Sequence, residues 1–103
     1  MTTYNKLVRD KIPEIICSDG KTCSTKILER EEMITALQNK LAEEVEEFAL
    51  DARPEELADI LEVVFASGEL LGCSPADLEA IRLRKRESNG GFSDRIFLIE
   101  VND

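Results

Sequence analysis

The stretch KLAEEVEEFALDARPEELADILEVV, Lys40 to Val64, decides the reading of this chain. It holds the end of one amphipathic helix and the start of another, broken at Asp51-Ala52-Arg53-Pro54. Upstream of the break, Ile34, Leu37, Leu41, Val45 and Phe48 recur at steps of three and four, which predicts a helix from Glu29 to Asp51. Downstream, Leu57, Ile60, Leu61, Val64, Gly68 and Leu71 repeat the pattern, with Pro54 suited to the first turn and Gly72 to the end. The second helix is apolar around more than half its circumference. It is therefore expected to be buried on two sides, within a bundle or across a dimer interface.

The acidic residues of this stretch separate on a helical wheel. With Leu41 at zero and about 100° per residue, Glu43 and Glu46 fall at about 200° and 140°, on the far side. Glu44 and Glu47 fall at about −60° and −120°, bordering the apolar stripe. In the second helix, with Leu57 at zero, Glu56 and Asp59 lie at about −100° and −160°, beside Ile60, Val63 and Leu70. Glu55, Glu62 and Glu69 form an ordinary solvent stripe. Antiparallel packing would bring Glu44, Glu47, Glu56 and Asp59 onto facing flanks. Carboxylates so gathered repel unless a cation sits among them, and oxygen-only ligation suits Mg²⁺ or Mn²⁺. The same spacings also fit a plain surface charge lattice built on Lys40–Glu44 and Glu47–Asp51.

Outside the central hairpin, Ser74-Pro75-Ala76-Asp77 supplies an N-cap and a proline at N1 for a third long helix. That helix is expected to run to about Ser88 and to stop at Asn89-Gly90-Gly91. Gly68 costs roughly 1 kcal/mol inside a helix, so a close approach of a neighbouring backbone is expected there. Near the N-terminus, Leu7, Val8, Ile12, Ile15 and Ile16 have helical spacing, with Pro13 placing the helix start near Arg9 or Asp10 and Asp19-Gly20 marking a turn. Thr22 to Leu28 and Arg95 to Val101 read as strands that pair with each other. The expected fold is thus mainly α: one domain over residues 1–103, an antiparallel helical bundle completed by oligomerisation. A small two-stranded sheet joins the N-terminal third to the C-terminus.

Composition narrows the chemistry. The net charge is −9, which sets the chain against nucleic-acid polymers but not against a small phosphorylated ligand escorted by a divalent cation. There is no histidine, which removes Ser–His–Asp and Cys–His catalysis, HExxH zinc sites and every imidazole base. Cys17, Cys23 and Cys73 form no CxxC pair, so a thiolate zinc site is not supported. The opening MTTYNKLVRDK has no apolar core and no stretch is long enough for a membrane span. A cytoplasmic setting with reduced thiols is expected. If the protein is an enzyme, Asp and Glu do most of the work.

The pair Glu44-x-x-Glu47 followed by Glu56-x-x-Asp59, within KLAEEVEEF and EELADILEVV, resembles the signature of the MazG-like all-α nucleotide pyrophosphohydrolases. The chain is more particularly similar to the small phosphoribosyl-ATP pyrophosphohydrolase-like proteins. Those open on a segment like YNKLVRDKIPEII (Tyr4 to Ile16) and close on one like GGFSDRIFL (Gly90 to Leu98). The resemblance implies that Glu44, Glu47, Glu56 and Asp59 bind Mg²⁺ (Mn²⁺ in its place), and that the α–β phosphoanhydride of a nucleotide is cleaved to release pyrophosphate. It implies that the end segments flank the site, with Lys6, Arg9, Lys11, Lys85 and Arg86 as phosphate-binding candidates. A carboxylate outside the tightest coordination serves as base, here assigned to Glu47. The expected partners are a nucleotide substrate and further copies of the chain, as a homodimer or homotetramer, with no membrane. One departure is the spacer: only eight residues, Phe48 to Glu55, separate the acidic pairs. A tight turn between antiparallel helices still permits convergence. A rival reading, drawn from that spacer and the acidic surface, is a non-catalytic helical dimer that binds a nucleotide or a protein partner.

Overall fold

The computed structural model describes residues 1–102, and among them the secondary structure is entirely helical. Four helices follow in order: α1 (Ile12–Ser18), α2 (Arg30–Leu50), α3 (Pro54–Leu70) and α4 (Pro75–Asn89). Winding towards α1 begins at the turn in which the Ile12 N–H donates to the Arg9 carbonyl at 3.0 Å, close to the predicted start. Glu31 and Glu32 in the first turn of α2 complement its dipole. The Glu32 carboxylate also accepts from the Glu29 N–H at 3.1 Å. Pro54 stands in the first turn of α3 and Pro75 in that of α4, where a missing N–H costs nothing. Ser74 and Asp77 cap α4 reciprocally: the Asp77 N–H donates to Ser74 Oγ at 3.1 Å, and the Ser74 N–H donates to Asp77 Oδ2 at 3.0 Å. Gly90, at φ 85, ends α4 in a backbone region that suits glycine.

Among the described residues the only extensive packing joins α2 to α3, an antiparallel hairpin closed by Asp51, Ala52 and Arg53. Leu37 on α2 and Val63 on α3 are its buried centre. At the open end of the hairpin, Arg30 donates from Nη2 to the Leu70 carbonyl at 2.7 Å, which places a cation on the C-terminus of α3. α4 packs on α3 at Gly68. A Cβ added there would fall 2.6 Å from Leu78 Cδ1 and 3.2 Å from the Cys73 carbonyl oxygen. The close approach predicted for Gly68 is therefore present, made by a side chain as well as by backbone.

Two expectations are corrected. No strand forms among the described residues, and no backbone hydrogen bond joins Thr22–Leu28 to Arg95–Val101. A lone two-stranded ribbon is marginal in water, and among the described residues of the two segments only Leu28 is even half-buried. Val45, placed in the apolar stripe of α2, is nearly half exposed. The protomer is correspondingly open, with a radius of gyration of 18.1 Å where a compact chain of this length has about 13 Å.

Candidate metal centre

The hairpin brings three of the four predicted acids together. One carboxylate oxygen from each of Glu44, Glu56 and Asp59 lies within 4.8 Å of the other two. Glu44 sits on the flank of α2 that faces α3, and Glu56 and Asp59 occupy the first turns of α3 just past the Asp51–Arg53 connection. The side chains of Glu44 and Glu56 are only 13% exposed, whereas Asp59 opens further to solvent. Glu47 remains exposed on α2, outside this group. The eight-residue spacer is thus long enough for the helix ends to converge.

Each of the three acids is paired with its own cation. Lys40 Nζ lies 3.5 Å from Glu44, Arg53 Nη2 lies 3.0 Å from Glu56, and Arg9 Nη2 lies 2.7 Å from Asp59. Arg53 also bridges to Asp51 at 2.6 Å, which fixes the connection between the helices. These cations offset the mutual repulsion of the carboxylates, so the cluster is stable as a charge lattice. The donor set nevertheless suits a hard divalent ion. Three oxygen ligands from rigid helices, with no imidazole or thiolate among them, match Mg²⁺ or Mn²⁺, and oxygens within 4.8 Å of one another need only a small inward movement to share one ion.

The N-terminal segment is laid across this acidic flank. Lys6 donates to Glu43 at 3.1 Å and Arg9 to Asp59 at 2.7 Å, so two phosphate-binding candidates stand at the rim of the cluster. The hydrogen bond to Glu43 raises the Lys6 pKa, supported by the charges of Glu43, Glu44 and Glu47. Reciprocally, Lys6 holds the Glu43 carboxyl below its ordinary range. Glu43 is a neighbour that the wheel does not reveal. The wheel sets it with the solvent acids, yet it is half-buried between Lys6 and Lys40, the latter at 3.5 Å. No periodicity could reveal it, because its partner lies 37 residues away. The other three candidates, Lys11, Lys85 and Arg86, form no ion pair among the described residues. Arg86 instead lines an open cavity of about 380 Å³ with the Asn89–Ile96 turn.

Comparison with protein-family models, with curated proteins and with solved structures returns no match. Cys17, Cys23 and Cys73 are all free thiols, and no helix is long and apolar enough to cross a membrane.

Proposed function

We propose that this chain is a Mg²⁺-dependent nucleotide pyrophosphohydrolase of the MazG-like type, acting in the cytosol as a homodimer or homotetramer. It would cleave the α–β phosphoanhydride of a nucleoside triphosphate or a phosphoribosyl-ATP-like substrate. The observation that carries this reading is the gathering of Glu44, Glu56 and Asp59 within 4.8 Å, on the residues that the family resemblance marks as ligands.

A bound divalent ion would neutralise phosphate charge and make water more acidic. The chain's own residues supply the rest. Glu44 and Glu56, held by Lys40 and Arg53, form the rigid part of the ligand set. Asp59 is the adjustable ligand, because its partner Arg9 belongs to the N-terminal segment rather than to the hairpin. If Asp59 were engaged by a divalent ion, Arg9 and Lys6, both at this rim, would be the cations available to a phosphate group. Glu47, exposed and outside the three-acid group, is suited to accept a proton from the attacking water rather than to ligate. Phosphoanhydride hydrolysis needs positioning and charge neutralisation more than covalent help, which this set provides.

The test is pyrophosphate release from a panel of nucleoside triphosphates and phosphoribosyl-ATP, with and without Mg²⁺, with Glu44→Gln as control. Metal-dependent release that is lost in the variant is the expected result. The pairing of every cluster acid with a cation favours one rival, a non-catalytic dimer that keeps the fold. Silence across the panel, with nucleotide binding indifferent to Glu44→Gln, would establish that rival.

A further inference from the structure

The C-terminal segment has no regular structure and is rich in apolar residues. Phe92, Ile96, Phe97, Leu98, Ile99 and Val101 are each at least 73% exposed. Ile96-Phe97-Leu98-Ile99 is a continuous apolar run, the pattern of a segment covered on both sides rather than on one. No helix of its own protomer provides it. The segment leaves α4 through Gly90-Gly91, and α4 touches α3 only around Leu78 before its later residues run out into solvent. Glycine at both positions of that joint leaves the direction of the segment unconstrained.

The same chain holds a matching unfilled surface. α3 is covered by α2 along one face, through Val63, and by Leu78 at Gly68 on the other. The N-terminal half of that second face has no cover, leaving Leu57 48% and Leu61 51% exposed. The protomer as a whole exposes 9352 Å², whereas a compact monomer of this size exposes about 5,800 Å². The excess of roughly 3,500 Å² per chain is about four times the approximately 800 Å² that each partner buries in an ordinary interface.

We infer that residues Phe92–Val101 form an exchanged arm that docks on the Leu57–Leu61 face of α3 in a second copy of the chain. The arm buries one apolar side against that face and the other against its symmetry-related neighbour, in a closed two-fold dimer. The inference rests on the homo-oligomeric part of the proposed function and not on its chemistry, so assembly and pyrophosphate release succeed or fail separately.

Sedimentation equilibrium of the full-length chain, with two variants and their mixture, tests it. Wild type is expected to be dimeric or larger. Phe97→Asp with Ile99→Asp, and separately Leu57→Asp with Leu61→Asp, each weaken the dimer at least tenfold. Mixed together, the two variants restore dimer, because an intact arm meets an intact face at one of the two joints. A monomeric wild type, a variant that assembles normally, or a mixture that stays monomeric would each overturn the inference. The last of these is the result of an arm docked on its own protomer. Should an aspartate variant lose its helical circular dichroism, Phe97→Ala and Leu61→Ala are run in the same scheme and read in the same way.

Discussion

The α2–α3 hairpin and the two terminal segments of this chain obey different rules. The hairpin makes its own environment: Leu37 on α2 and Val63 on α3 are buried in it, Arg30 ties its open end, and Arg53 braces the connection. The N-terminal segment is held to it by Lys6 and Arg9, through exposed ion pairs that contribute little stability. The apolar side chains of the C-terminal segment are largely exposed. Stability therefore resides in the hairpin, while adjustment of the site and assembly, as proposed above, would fall to the ends. In the proposed function that division places the acids on helices and their cations Lys6 and Arg9 on a segment with little regular structure.

Substitutions can break or sharpen this contrast. The largest effect is expected at the hairpin centre, where Leu37→Ala should cost roughly 2–5 kcal/mol in chemical denaturation at fixed protein concentration. A smaller loss would mean that the hairpin is not the stable unit. Next comes the α3–α4 contact: Gly68→Val should destabilise by about 1–3 kcal/mol, because the added methyl groups meet Leu78 and the fixed Cys73 carbonyl. Removing the α4 cap with Ser74→Ala should cost about 1 kcal/mol, read as a lower midpoint with an unchanged denaturant slope.

At the N-terminal tether, Arg9→Ala should change stability by no more than about 1 kcal/mol. Its mark should be functional: tighter Mg²⁺ binding in a titration, since Asp59 loses its competitor, together with slower turnover of substrate. Unchanged Mg²⁺ affinity would separate Arg9 from the cluster. The smallest effect is one of pH. The Ser74 backbone N–H, and then its hydroxyl, hold the Asp77 carboxyl below its ordinary value of 3.8. A folded-state pKa below the unfolded one stabilises above pH 3.8 and loses that contribution as pH falls through the lower value. Asp77→Asn should therefore flatten the acid limb of a thermal-melting profile and leave its neutral part little changed in slope.

The gathering of three acids is legible in the sequence. Glu44, Glu56 and Asp59 border apolar stripes, and a helix with one covered flank must turn those residues toward its neighbour. Glu47 was drawn into the same set by its place on that flank, but it sits about 60° further round the helix from Leu41 than Glu44 does, far enough to leave the contact. Glu43 went unread because its role depends on Lys6, a partner brought in by the course of a segment with little regular structure. Thr22–Leu28 reads as a strand from its β-formers and Arg95–Val101 from Phe97, Ile99 and Val101 on one face, yet a strand is a pairwise object. Their residues are β-formers without a partner in the protomer.

What the sequence by itself determined, then, is everything governed by local periodicity and end chemistry: the long helices, their proline and glycine boundaries, the serine cap, and the acids on the inner flanks. Those follow from interactions within a few turns of one chain segment. What only the tertiary structure decided is which charges meet and which apolar surfaces stay open. Lys6 on Glu43, Arg9 on Asp59, Leu78 against Gly68 and the uncovered Leu57–Leu61 face all depend on where distant segments lie. Their physical cause is packing between elements, which periodicity along one element does not encode.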